Sequence, residues 1–341
     1  MLETIWFMLW GLIWAIYFML DGFDFGLGTL MPFISESDND RRVIYNSMGP
    51  VWDGNEVWLI TAGGVTFAAF PTTYAVMFST LYTPLLLILF ALIIRGVSFE
   101  FRGKIDNPAW KKLWDTCLFL GSFLPALLFG VAFANIFQGI PFDKDGIFQG
   151  SLITLLNPYG IAGGVFFVVT FLTHGAIWLC IKSEGKLHAR AARAAAGLWI
   201  LWLITAVGFL AFSYVATPLY KNYFNNPVLF IVPLIAVVGL LATRFFIGSQ
   251  AYWKAWFASS VTIVAAVLFG VIGLFPNLYP SSIDPALNLT AFNSSSSPLT
   301  LKIMLGVALV MVPIVIAYQS YAYHLFRGKV NAAMLASEES Y

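Results

Sequence analysis

Charge is the first thing this sequence has little of. Lys and Arg number 18 and Asp and Glu 17, together 10% of 341 residues, where a soluble domain carries about a quarter. An ordinary soluble domain is therefore excluded, and 60% hydrophobic residues with a mean hydropathy of +0.82 point to a chain built for lipid. A net charge of +1 leaves no basic footprint for nucleic acid. Cysteine is nearly absent. Cys117 and Cys180 sit in separate apolar runs, so neither a disulfide framework nor a cysteine metal motif is indicated. Histidine is scarce too. His188 falls in a basic stretch and His324 at the end of the last apolar run, which leaves His174 as the single histidine inside a span. A haem with two axial ligands in this chain has no evident second one, so His174 reads as a packed polar spot and no metal ligand is expected. Met1-Leu2-Glu3 lacks the basic start of a signal peptide, so the first apolar run is expected to be a retained helix.

What the chain has in abundance is long apolar runs. Nine are expected to form transmembrane helices, at about 4–32, 49–70, 74–97, 113–137, 158–181, 194–217, 227–247, 255–275 and 299–324, with Pro125 as a kink in the fourth. The class is an all-α polytopic membrane protein forming one integral domain over 1–341. Two four-helix bundles plus one additional helix would use nine spans, although internal repeats are faint. Residues 35–46 and the basic stretch 182–193 read as loops. Residues 276–298, rich in Ser, Asn and Pro, read as an irregular external loop.

Counting cations in alternate loops gives the orientation. One side receives Arg41, Arg42, Arg95, Arg102, Lys104, Lys111, Lys112, Lys182, Lys186, Arg190, Arg193, Arg244, Lys254, Arg327 and Lys329; the other receives Lys144, Lys221 and Lys302. The positive-inside rule makes the rich side cytoplasmic, with the N-terminus outside and the C-terminus inside.

The few charges within the apolar runs are the informative ones. Leu20-Asp21-Gly22-Phe23-Asp24-Phe25-Gly26 carries two acids three residues apart. Gly49-Pro50-Val51-Trp52-Asp53-Gly54-Asn55-Glu56-Val57-Trp58 carries two more at the same spacing, which places each pair on one helix face. Pro50 suits a first helical turn. A carboxylate near the centre of a span costs roughly 2.5–3.5 kcal/mol on insertion scales. Four acids in adjacent helices therefore argue for use. With the topology above, Asp21, Asp24, Asp53, Glu56, Arg95 and Glu100 all fall in the cytoplasmic half, an acidic cluster capped by arginine. An isolated acid at a helix end would be only a cap, and a lone Arg95 only a snorkelling anchor.

These motifs resemble subunit II of the cytochrome bd-type quinol oxidases. The segments 95–104, Gly121-Ser122-Phe123-Leu124-Pro125, Gly130-Val131-Ala132-Phe133, Gln138-Gly139-Ile140-Pro141-Phe142 and Leu156-Asn157-Pro158-Tyr159-Gly160 are similar as well. The likeness is specific over about residues 1–180 and rests on helix count and order beyond. It implies a prokaryotic plasma-membrane protein of the aerobic respiratory chain, with nine helices and no haem of its own. It would pair with a subunit I that binds haems b and d and oxidises quinol while oxygen is reduced to water. The resemblance further implies a cytoplasmic proton path through Asp21, Asp24 and Asp53, and a quinone contact near Trp52. It leaves room for a structural quinone and a small single-helix subunit. Glu56 departs from the pattern, standing where other members carry glutamine.

Two other classes compete. A proton-coupled transporter would also use membrane carboxylates, usually at mid-membrane between discontinuous helices. Here the acids lie to one side, and the eighth and ninth runs look plain. A structural scaffold would use the acids to fix helix packing alone. Oxygen reduction consumes protons at a buried site, and a one-sided acidic cluster suits the oxidase subunit best.

Overall fold

In lipid no water is at hand for exposed backbone groups, so each apolar run must close its own hydrogen bonds as a helix. The computed structural model describes residues 1–335. In chain order the helices are α1 (Leu2–Ile34), α2 (Asp38–Met48), α3 (Trp52–Ala69), α4 (Pro71–Thr80), α5 (Tyr82–Phe101), α6 (Pro108–Gln138), α7 (Leu152–Leu155), α8 (Pro158–Lys182), α9 (Gly185–Ala216), α10 (Tyr220–Asn225), α11 (Ile231–Gly248), α12 (Tyr252–Leu274), α13 (Pro298–Leu325) and α14 (Ala332–Leu335). Strands β1 (Asn277–Tyr279) and β2 (Leu289–Thr290) pair antiparallel in the loop before α13. Among the described residues eight helices are long and apolar enough to cross a membrane: α1, α5, α6, α8, α9, α11 with the 3-10 turn before it, α12 and α13. The protein is an all-α polytopic membrane protein. Helix α3 is 18 residues long, but Asp53, Asn55 and Glu56 in its opening turns leave it less apolar than those eight.

Local chemistry sets the helix starts. The Asn107 carboxamide oxygen accepts from the Ala109 N–H at 2.8 Å, ahead of Pro108 in the first turn of α6. Asn157 accepts from the Gly160 N–H at 2.8 Å ahead of Pro158 in α8. In both, the cap satisfies a donor that the helix cannot, and proline supplies a fixed φ where no N–H is needed.

Helix α1 is the axis of the bundle, packed against α3, α6, α8 and α12; α6 also packs on α5 and α8, α8 on α9, and α11 on α12. The closest crossing is α1 with α8. A Cβ on Gly26 would meet the Phe171 carbonyl oxygen at 1.8 Å, and one on Gly175 would meet the Leu27 nitrogen at 2.7 Å. Only glycine permits this approach. Helix α13 lies along α1 and α3 with most of its length exposed.

Several expected boundaries are corrected. The stretch 35–46 read as a loop contains α2, because the Ser37 hydroxyl caps the Asp40 N–H at 3.1 Å and Asp38 and Asp40 favour the helix start. Pro50 falls in the turn between α2 and α3, not in a first helical turn. The third run is two helices broken at Leu81, since Pro84 offers no N–H to the Thr80 carbonyl and serves instead in the first turn of α5. The basic stretch 182–193 is largely the beginning of α9, as expected for a run of Ala, Lys and Arg. Pro125, the position of the expected kink, lies inside α6.

The two ends of the bundle differ. At one end Arg190 pairs with Glu36 and Asp40 and donates to the Ile34 carbonyl at 2.8 Å. Arg102 pairs with Asp38 at 2.6 Å and with Asp115 at 2.7 Å. The chain after α13 folds back across this end: Lys182 donates to the Phe326 and Gly328 carbonyls, and Arg42 to the Leu335 carbonyl. Burial raises the Asp38 carboxyl, but Arg102 and Lys111 outweigh it and hold the group below the usual carboxylate range. At the other end, uncharged contacts join the 139–157 and 276–298 loops. The Ile140 N–H donates to the Pro280 carbonyl at 2.9 Å, and the Ser281 hydroxyl to the Phe142 carbonyl at 3.1 Å.

Candidate functional site

The site forms where the polar residues of α1, α3 and α5 meet. Asp21 and Asp24 of α1, Asn55 of α3 and Arg95 of α5 are all fully buried, and Glu56 of α3 is half-buried. Gly121 lets α6 press against α5 at this level, because a Cβ there would lie 2.6 Å from the Arg95 Cβ. The guanidinium of Arg95 is thus confined. It sits 4.5 Å above the centre of the Phe25 ring and points both terminal nitrogens at Asp21. Nη1 donates to Oδ2 at 3.0 Å and Nη2 to Oδ1, a bidentate pair that satisfies both carboxylate oxygens. Glu56 Oε1 stands 3.8 Å from Arg95 Nη1 and makes no hydrogen bond among the described residues. Asp24 accepts on Oδ2 from the Asn55 amide at 2.7 Å, while its buried Oδ1 has no hydrogen-bond partner among the described residues. The Tyr17 hydroxyl, one turn before Asp21, is likewise buried without a hydrogen-bond partner among the described residues.

Two kinds of carboxyl group therefore lie side by side. Asp21 is locked to a permanent cation, which compensates both charges in a low-dielectric setting. Asp24 and Glu56 each keep an oxygen that can take a proton or another donor. Such a cluster holds one fixed charge pair beside two carboxyl groups that each keep an oxygen without a hydrogen bond among the described residues.

The family model described as cytochrome bd terminal oxidase subunit II matches residues 2–326. The chain belongs to that family. It is 37% identical over 363 residues to cytochrome bd-I ubiquinol oxidase subunit 2 of Escherichia coli K12, covering 97% of this chain and 95% of that protein. It is 36% identical over 331 residues to cytochrome bd ubiquinol oxidase subunit 2 of Bacillus subtilis, covering 97% of each. The solved structure of bd oxidase from Geobacillus thermodenitrificans shares the fold, with a TM-score of 0.78 at 17% identity over 95% of this chain and 98% of the matched one. This subunit II is a component of a quinol:oxygen oxidoreductase.

Within subunit II the candidate residues separate. Asp21, Asp24, Glu56 and Arg95 come together; Asp53 and Glu100 do not join them. Asp53 is exposed in the first turn of α3, where its carboxylate accepts from the Gly54 N–H at 2.7 Å, and Glu100 is exposed near the end of α5. Arg102, seven residues after Arg95, is engaged by Asp38 and Asp115. Trp52 is half-buried and stacks on Phe99 with ring centres 4.9 Å apart.

The sequence reading missed Gln319 and Tyr323. The last apolar run looked plain, yet these residues of α13 reach Asn55. Tyr323 donates to Asn55 Oδ1 at 2.8 Å and Gln319 to the same atom at 3.2 Å. Their four-residue spacing on one helix face was the available signal. His174 forms a separate polar spot. Its Nε2 lies 3.1 Å from the Met19 carbonyl and its Nδ1 2.7 Å from the Ser259 hydroxyl, and the ring stacks on Trp256. Both ring nitrogens are engaged inside the protein. Among the described residues no group of three or more His, Cys, Asp and Glu side chains could hold a metal ion.

Proposed function

We propose that this subunit carries protons from the cytoplasm toward haems held by its partner, subunit I, and stabilises that partner. The observation that supports this is the buried Arg95–Asp21 pair with Asp24 and Glu56 beside it. In this reading Asp53, exposed at the start of α3, is the entrance, and Glu100 adds negative charge at the same surface. Asp24 and Glu56 receive the proton. Arg95 and Asp21 set the local potential without themselves exchanging. Haems b and d belong to subunit I, whose bound iron supplies the oxygen chemistry. Trp52 contacts quinone through the part of its ring left exposed, and a structural quinone or a small single-helix subunit is accommodated by the same assembly.

The topology that goes with this function has nine spans, with α3 as the second and α4–α5 as one interrupted span. They form two four-helix bundles and a ninth helix, α13. The N-terminus is outside and the C-terminus in the cytoplasm of a prokaryote, so the basic end of the bundle faces inward. Asp24→Asn keeps an oxygen able to accept from Asn55 but removes the titratable proton. In the assembled oxidase it should slow steady-state oxygen reduction by roughly a hundredfold, the lower range for loss of a positioned proton-transfer group. Asp53→Asn should give about a tenfold loss, because an entrance group is more easily bypassed by water. Haem content measured by optical spectrum should stay normal in both. Full turnover in a haem-replete Asp24→Asn oxidase would leave only the scaffold role.

A further inference from the structure

Asp24 depends on a hydrogen bond whose direction is set elsewhere. An asparagine amide can present either its oxygen or its nitrogen, and only the nitrogen suits a carboxylate. The choice at Asn55 can be traced to a group with no freedom. The Trp58 indole N–H is a donor only, and it donates to Gln319 Oε1 at 2.8 Å. Gln319 must therefore turn its Nε2 the other way. There it donates to the Gly54 carbonyl, an acceptor only, at 3.1 Å, and to Asn55 Oδ1 at 3.2 Å. With its oxygen claimed by Gln319 and by the Tyr323 hydroxyl, Asn55 has only Nδ2 to offer Asp24, and it does so at 2.7 Å. Tyr323 alone would not decide this, since a phenol can donate or accept. Gln319 does decide it, because reversing Asn55 would set two amide nitrogens against each other.

We propose that Gln319, with Tyr323, is a positioning residue for proton transfer: α13 holds Asn55 as a permanent donor to Asp24. The inference rests on the reading of Asp24 as a proton carrier. It gives α13 a role in the chemistry beyond crossing the membrane, for its polar notch is what aims the amide at the acid. Helix α13 is otherwise little buried, so this notch also fixes its height against α3.

The test uses the assembled oxidase. Gln319→Met keeps length and bulk but cannot donate, and Tyr323→Phe removes one hydroxyl while keeping the ring that packs against Phe23 and Trp178. Gln319→Met frees the Asn55 amide to turn away from Asp24 and should lower kcat about fivefold to tenfold, the worth of roughly one net hydrogen bond, with the quinol KM and haem content unchanged. Tyr323→Phe should have a smaller effect in the same direction. Because both act through Asp24, neither should slow turnover further in an Asp24→Asn background. An equal proportional loss in that background, or wild-type kcat in both single variants, would overturn the positioning role. If Gln319→Met fails to assemble, Gln319→Glu, which still accepts from the Trp58 indole but has no amide N–H to give Asn55, takes its place in the same comparison, alone and with Asp24→Asn. Unchanged turnover in Asp24→Asn itself would remove the proton-carrier reading on which the inference stands. A slow Asp24→Asn with wild-type Gln319→Met and Tyr323→Phe would remove the positioning role alone.

Discussion

Arg95 and Asp21 are the residues whose removal separates structure from proton traffic. Both side chains are almost fully buried, at 1% and 0% exposure. Removing one partner strands the other charge, which costs about 3–5 kcal/mol for a buried pair. Asp21→Leu and Arg95→Met made singly should therefore give poorly assembled oxidase. Made together they remove both charges and replace them with apolar volume, a change that is often neutral or stabilising. The double variant should recover assembly and haem, as read by size-exclusion chromatography and the optical spectrum, but not full turnover. Poor assembly in the double variant would mean that the pair's geometry, not its charge balance, holds the helices. The sequence made the pair legible as types and spacing, since acids and an arginine in apolar runs stand out. It could not show that Asp53 and Glu100 stay outside, because two acids on one helix face can still differ in depth. Nor did it show the chain from Trp58 through Gln319 to Asn55, which depends on helices more than 260 residues apart in sequence.

At the scale of helices, the long apolar runs were legible in the sequence as helices, and several of their ends were not. Breaks and extensions were harder, because they depend on single backbone groups: Pro84 beside the Thr80 carbonyl, or Ser37 under the first turn of α2. A basic surface stretch and a helix start look alike in composition, which concealed the beginning of α9 within a presumed loop. The α1–α8 crossing was partly visible as glycines near Asp21, but its partner Gly175 was not, since closeness between distant segments is a tertiary fact. Gly175→Ala would push a methyl group against the backbone of α1, where the nearest atoms are backbone and have no rotamer to yield. A destabilisation of about 1–3 kcal/mol is expected from overpacking. It should appear as a lower apparent Tm of the purified oxidase, whereas Gly197→Ala, with nothing within 4 Å, should be silent. Equal melting of the two variants would contradict the tight crossing.

Over the whole molecule, the ion pairs and the returning C-terminal segment gather basic residues at one end, while hydrogen bonds between uncharged groups join the loops at the opposite end. A cytoplasmic basic end places the C-terminus inside, so a fused reporter after Tyr341 that works only in the cytoplasm should be active, and one that works only outside should not. The reverse pattern would turn the acid cluster toward the wrong side for cytoplasmic protons. The central claim is that Asp24 and its neighbours carry the protons used in oxygen reduction. It is tested most directly by proton uptake during a single turnover, followed with a pH-indicating dye on the cytoplasmic face of vesicles containing the assembled oxidase. In Asp24→Asn the uptake phase should slow about a hundredfold together with the haem steps that await it, while earlier electron transfer keeps its rate. Proton uptake at the wild-type rate in the same haem-replete variant would contradict the account.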